Sequence, residues 1–366
     1  MKKLLAILAA LVVVGVAAYF AVGGSAGLVE AALPEFPVLP TPTLRLADER
    51  GGEIYFATRT PTDLDVILAD AADGIATTGM GTLFMPEEAA AESPVPAMVV
   101  LHGSGGITPG REMEYGKLLS DSGIAAFVVD YYSPRGITDE TPYMLRVISV
   151  TEFDVVADAY ASLQLLSSHP AIDAERIGVV GFSYGGMAAR FAMDERIREA
   201  LAPGHPGFAV YVDYYGPCFQ KLGTRKTNGA PLLTFRGTED KSNDLEACAR
   251  REEELRALGV AVEAHVYEGA GHAWEATRER ALFPDSPYVA GCEVRYDDSG
   301  RSSVDGRPIV DVPLETGRAE RIAVRMKSSE PLQDCVKSGY VIGRDDETRA
   351  KSDATLQAFL QRVFAL

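Results

Sequence analysis

The sequence predicts an α/β fold, a mostly parallel central sheet with helices on both faces, and three observations predict it. From Leu44 onward, short apolar runs of strand type alternate with amphipathic helical runs, the rhythm of a parallel sheet whose crossovers are helices. Runs such as Ala97 to Leu101 and Ile124 to Asp130 are almost continuously apolar, as strands buried on both faces require. The chain has 366 residues, 47% of them hydrophobic and 24% charged, enough for one large core with embellishments.

The N-terminal segment stands apart from that core. Met1-Lys2-Lys3 precedes an uncharged apolar run from Leu4 to Val22, the layout of an export signal. The run is also long enough to span a bilayer, so a cleaved signal peptide and a retained anchor both fit. Any membrane attachment is expected through residues 4–22, and the protein is expected to be exported, either periplasmic or secreted. Residues 1–29 are therefore read as signal or anchor, and 30–43, with Pro34, Pro37, Pro40 and Pro42, as a linker. The folded unit is read as 44–366.

Within that unit, Gly52 to Thr58 and Thr78 to Met85 read as two strands joined by a loop, followed by the buried strand ending at Leu101. Arg111 to Ser122 reads as a helix and Ile124 to Asp130 as the next strand. A helix from about Val150 to Ser167 carries Val155, Val156, Tyr160, Leu163 and Leu166 at helical spacing. Arg176 to Gly181 is another buried strand, and Gly186 to Leu201 a helix. Phe208 to Tyr214 and Pro231 to Phe235 are strands, Leu245 to Leu258 a charged helix ended by Gly259, and Val260 to Tyr267 the last core strand. A helix from Asp353 to Phe364 closes the chain. Residues 277–346 break the rhythm: rich in Asp, Arg, Ser and Gly, they read as hairpins inserted between the last core strand and the last helix.

Charge and cysteine content exclude some functions. A net charge of −17 argues against nucleic-acid binding, which needs basic residues to release counterions. Cys218, Cys248, Cys292 and Cys335 are the four cysteines, an even number in a chain expected to enter an oxidising compartment. Three pairings are possible, and joining neighbours, Cys218 with Cys248 and Cys292 with Cys335, is the simplest. None has C-x-x-C spacing or a nearby His ligand, so no metal is expected. Nor does any motif call for a cofactor.

The chemistry concentrates around Gly181-Phe182-Ser183-Tyr184-Gly185-Gly186. This G-x-S-x-G sits between a buried strand and a helix, where a sharp turn lifts the serine hydroxyl above the sheet and aims a helix N-terminus at it. The flanking glycines are needed because the turn has no space for β-carbons. A neutral hydroxyl is a weak nucleophile, so a base and a group that orients it are required. Asp240, just past the strand P-L-L-T-F, and His272, in Gly269-Ala270-Gly271-His272, follow in the order Ser, Asp, His that an α/β-hydrolase demands. Glu239 and Asp244 are rival acids. His169, His205 and His265 have ordinary surface explanations, at a helix end, in a loop and on a polar strand face. His102 begins a Gly-rich loop, His102-Gly103-Ser104-Gly105-Gly106, whose Ser104 N–H, with the N–H of Tyr184, is expected to form an oxyanion hole. A phosphate cradle would need G-K-[ST], which is absent.

Five motifs in order, V-V-L-H-G-S-G-G, D-Y-Y-S-P-R-G, G-F-S-Y-G-G, L-L-T-F-R-G-T-E-D and Y-E-G-A-G-H-A-W, resemble the dienelactone hydrolase family of α/β-hydrolases over about Gly52 to Ala276. The resemblance implies a substrate pocket near these motifs, with Arg135, His102 and Trp274 as binding candidates. In that family an arginine at the position of Arg135 holds a substrate carboxylate; bracing its own loop is the other reading. The family's second arginine falls at Ala276, with Arg278 nearby. The family nucleophile is often a cysteine, with an acid in the loop at Gly103. Here Ser183 replaces the cysteine and the acid is missing, which shifts the expectation to an esterase-like mechanism. Exported relatives with the S-P-R-G segment share cysteines at 218 and 248, so the resemblance also implies that pair.

The expected activity is hydrolysis of small esters or lactones through an acyl-enzyme on Ser183, with His272 as base and Asp240 orienting it. The alternatives are a peptidase or polymer-active esterase on the same fold, and a non-catalytic binding protein. Oligomeric state is left open.

Overall fold

In a computed structural model, the structure describes residues 24–366 except Glu49 and Ser328. The apolar run from Leu4 to Val22 lies outside the described residues. Among the described residues, no helix is long and apolar enough to cross a membrane.

The strands in chain order are β1 (Gly51–Thr60), β2 (Ile75–Phe84), β3 (Val95–Leu101), β4 (Ala125–Asp130), β5 (Ile172–Phe182), β6 (Tyr211–Tyr214), β7 (Gln220–Lys221), β8 (Leu232–Gly237), β9 (Val262–Tyr267), β10 (Ala281–Val289), β11 (Val294–Tyr296), β12 (Ser302–Val304), β13 (Arg307–Pro308) and β14 (Val336–Ile342). The helices are α1 (Gly24–Ala32), α2 (Leu64–Asp70), α3 (Glu112–Asp121), α4 (Tyr143–Ser149), α5 (Glu152–Leu166), α6 (Tyr184–Phe191), α7 (Glu195–Leu201), α8 (Leu245–Ala257), α9 (Arg318–Lys327), α10 (Ser329–Leu332) and α11 (Asp346–Phe364).

Eight strands form one sheet in the order β1-β2-β4-β3-β5-β6-β8-β9. Pairings of β2 with β1 and with β4 are antiparallel and the rest are parallel. Side-chain alternation divides the core between the two faces. Along β3, Ala97, Val99 and Leu101 join the cluster under α2, α5 and α7, whereas Met98 and Val100 join the one under α3 and α11. All five are fully buried, the two-sided burial expected of a parallel interior.

Capping decides where several helices begin. Thr151 and Asp154 form a reciprocal capping box that starts α5, so the helix expected from Val150 starts two residues later. The expected helix Gly186 to Leu201 is two helices, because Asp194 turns its carboxylate onto the Arg196 N–H and caps α7 afresh. Such a local bond competes with helix continuation. Likewise the Asp345 side chain accepts the Thr348 N–H, so the last helix begins at Asp346 rather than Asp353.

Residues 277–346 contain the β10–β14 ribbon, three strands (β11, β12 and β13) of a small sheet whose fourth strand is β7 outside the segment, and also α9 and α10, so the segment is more than hairpins. Both neighbour disulfides are present, Cys218–Cys248 and Cys292–Cys335. The Pro-rich stretch lies along the folded unit: the Thr43 N–H bonds the Tyr55 carbonyl and the Arg318 guanidinium sits over Phe36.

Candidate active site

Ser183 stands between the end of β5 and the start of α6, with φ 55° and ψ −112°. That left-handed conformation is strained for a residue with a side chain, and such strain concentrates at functional sites. Glycine makes the turn feasible. A β-carbon at Gly181 would collide with the backbone of Gly185, and one at Gly185 would lie 2.5 Å from the carbonyls of His102 and Leu101. The Ser183 N–H is held by the Tyr214 carbonyl at 2.8 Å.

Three strand-end loops bring the expected residues together. Ser183 Oγ lies 2.9 Å from His272 Nε2, and His272 Nδ1 lies 2.6 Å from Asp240 Oδ2. A carboxylate only accepts, so Nδ1–H donates to Asp240 and Nε2 is left to accept the serine proton. Asp240 is 1% exposed, and buried charge needs partners. Its Oδ1 accepts from the Ser242 N–H at 3.0 Å and the Ser242 hydroxyl at 2.5 Å, and its Oδ2 from Asn243 Nδ2 at 2.8 Å. The rival acids are engaged elsewhere: Glu239 pairs with Arg280 and Asp244 caps α8.

The backbone of His272 is fastened by the inserted segment. Its N–H bonds the Val341 carbonyl at 2.7 Å and its carbonyl accepts the Gly343 N–H at 2.9 Å, while Tyr340 meets the imidazole edge-to-face. No periodicity or motif marks this connection. A pairing between residues so far apart in the chain leaves no local trace.

The glycine loop after β3 is fixed by its carbonyls. That of Gly103 accepts from the Gly106 N–H at 3.0 Å, from His102 Nδ1 at 2.7 Å and from the Tyr131 hydroxyl at 3.2 Å. The Ser104 N–H lies on the opposite side of that planar trans peptide. A β-carbon at Gly103 would stand 3.4 Å from Ser183 Cβ, so a side chain there would face the nucleophile directly. Behind the loop lies a charged cluster absent from the sequence reading. Arg111 Nε bonds Glu112 at 2.5 Å, Glu112 accepts the Thr108 N–H at 2.9 Å, and Arg111 stands 4.0 Å from Glu275. Desolvation pushes the fully buried Glu275 carboxyl up to about 7.

Two cavities meet at Ser183. The larger, about 650 Å³, is lined by Ser104, Thr108, Arg111, His272 and Arg278 among others. The smaller, about 270 Å³, opens on the side of Tyr184 and Met187. Three expected binding residues line neither. Arg135 is fully buried and doubly paired with Asp158, at 2.7 and 3.1 Å, with further bonds to Thr60 and the Tyr131 carbonyl; it braces its loop. His102 is fully buried and stacked on Tyr131, and burial lowers its pKa, favouring the neutral ring. Trp274 is fully buried, its indole N–H bonded to Ser352 on α11. Adjacency in a motif placed all three near the site, but their side chains turn into the core. Arg278, by contrast, reaches the larger cavity with its guanidinium 4.5 Å from the centre of the Phe283 ring. The dismissed histidines also have partners: His205 bonds Ser167, His265 bonds Glu263, and His169 is buried rather than on the surface, accepting the Ala171 N–H.

Comparison with known proteins finds relatives of the chain. A relative from Bradyrhizobium sp named "Probable 2-oxo-3-(5-oxofuran-2-ylidene)propanoate lactonase" is 26% identical over 169 residues, a match spanning 43% of this chain and 64% of that protein. Similar solved structures include a dienelactone hydrolase-like promiscuous phosphotriesterase from metagenomic libraries, at 19% identity and a TM-score of 0.46 over 61% of this chain and 84% of the other. Another is esterase 2 of Thermogutta terrifontis, at 17% identity and a TM-score of 0.43 over 54% and 80%. The sequence model of the dienelactone hydrolase family matches residues 80–297, well over half of the chain, and the chain belongs to that family.

Proposed function

We propose that this protein hydrolyses small esters or lactones through an acyl-enzyme on Ser183. The observation that carries the reading is the unbroken line from Ser183 Oγ through the His272 imidazole to the buried Asp240 carboxylate, set where two cavities meet. His272 Nε2 takes the hydroxyl proton as Ser183 Oγ bonds to the acyl carbon. Charge on the former carbonyl oxygen is held by the N–H groups of Tyr184 and Ser104. The acyl carbon then releases the alcohol oxygen, which takes the proton from His272. Water, losing a proton to His272, attacks the ester and frees the acid, and Ser183 recovers its proton. The lactonase name of the Bradyrhizobium relative supports including lactones.

Export also belongs to this reading. The two disulfides support it, since such bonds persist in oxidising compartments.

The test is a fluorophosphonate probe with p-nitrophenyl acetate. Labelling at Ser183, lost together with hydrolysis in Ser183→Ala, is the expected result. Unchanged turnover in that variant would overturn the assignment.

A further inference from the structure

We propose that the smaller cavity is the acyl subsite and the larger one the alcohol subsite, so that the preferred substrates are esters of an apolar acid. The inference rests on the acyl-Ser183 reading above and adds a direction and a substrate class to it.

Direction follows from the position of the base. His272 must hand its proton to the departing alcohol oxygen as the bond from acyl carbon to that oxygen breaks and the bond to Ser183 Oγ remains. The alcohol therefore leaves on the side of the imidazole. His272 borders the larger cavity, together with Thr108, Arg111 and Arg278, and does not border the smaller one. The acyl group is left to occupy the smaller cavity.

Chemical class follows from the walls. Met144 and Val147 come from α4, Met187 from one turn beyond Ser183 on α6, Phe219 from the stretch after β6, and Val289 and Val336 from the β10–β14 ribbon. These side chains offer contact area and no charge. Methionines fit acyl groups of differing shape, aromatic ones included. Met144 and Val336 are 59% and 49% exposed, apolar surface that an acyl group in the cavity would cover. Both disulfides fasten these walls: Cys218 adjoins Phe219, and Cys335 adjoins Val336 on the strand facing Val289. A cross-linked wall keeps its shape, as discrimination between acyl chains requires.

The experiment uses the full chain and p-nitrophenyl acetate, butyrate, hexanoate and benzoate, reading ratios of kcat/KM. Hexanoate is expected to exceed acetate by about tenfold or more, as burial of added methylenes implies. Val147→Trp and, from the opposite wall, Val289→Trp fill the cavity and are expected to cut the hexanoate-to-acetate ratio by about tenfold. A flat acyl series in the parent protein, or a ratio unmoved in both tryptophan variants while Ser183 still reacts with a fluorophosphonate, overturns the subsite assignment and leaves the hydrolase reading intact. A parent protein whose Ser183 neither labels nor turns over any ester overturns both.

Discussion

The loops that carry Ser183, Asp240 and His272 differ from the inserted segment 277–346 in almost every respect, yet the site needs both. The loops end the parallel strands β5, β8 and β9, and their residues converge because one sheet holds those strand ends along the same edge. The inserted segment lies outside the main sheet, but it holds His272 by two backbone hydrogen bonds and supplies Tyr340, Val289 and Val336 to the cavities. A shared scaffold thus sets the chemical groups, while an appended one sets their surroundings and steadies the base.

The sharpest test of the scaffold side is Asp240→Asn. Losing the carboxylate that fixes the His272 tautomer should lower kcat for p-nitrophenyl esters by about 10⁴-fold, with the fold intact by circular dichroism. A loss under about tenfold would move the orienting role elsewhere. Next in size is Arg135→Ala, which leaves Asp158 charged and buried without its doubly bonded partner. Urea denaturation should show a loss of about 3–5 kcal/mol, with Ser183 in the folded protein still reacting with a fluorophosphonate. A selective loss of activity toward carboxylate-bearing esters at unchanged stability would instead restore Arg135 as a substrate clamp.

On the inserted side, Cys292→Ser combined with Cys335→Ser should cost about 3 kcal/mol in urea and narrow the hexanoate-to-acetate ratio while Ser183 labelling persists. Full stability with an unchanged ratio would mean that the segment contributes only cover. The smallest effect belongs to Glu275, between the two regions. Its folded pKa of about 7 stands above its ordinary value of 4.5, so the native state keeps a proton that the unfolded chain has released. Stability therefore falls as pH rises from about 4.5 to 7, and the cost persists above that window. Glu275→Gln, which cannot ionise, should be more stable relative to wild type at pH 8 than at pH 4.5, by up to about 3 kcal/mol. The same difference at both pH values would show that Arg111 keeps Glu275 ionised throughout.

Legibility in the sequence followed the range of the interactions involved. The nucleophile elbow was readable because its cause is local: glycines on both sides of Ser183, a buried strand before it and a helix after it. Asp240 and His272 were readable because strand order limits where loops can meet. Helix starts at Glu152 and Asp346 are set by caps from Thr151 and Asp345, and the cap from Asp194 adds a start at Glu195 within one expected helix, bonds that apolar periodicity does not register. The supports of Asp240, Ser242 and Asn243, lay close by in sequence, and the need of a buried carboxylate for donors was the signal that could have found them. The cluster of Arg111, Glu112 and Glu275 had no such signal.

By itself, the sequence determined the α/β class, the strand–turn–helix at Ser183, the order of the three chemical groups and the neighbour pairing as the simplest use of four cysteines. Each rests on steric rules or spacing within a few residues, or on the topology those rules impose. Only the tertiary structure decided where side chains point and what they meet: that Arg135 turns inward to Asp158, that His102 and Trp274 belong to the core, and that β14 holds His272. A buried charge or ring goes wherever long-range packing supplies its partner, and that partner lies beyond any local window of the chain.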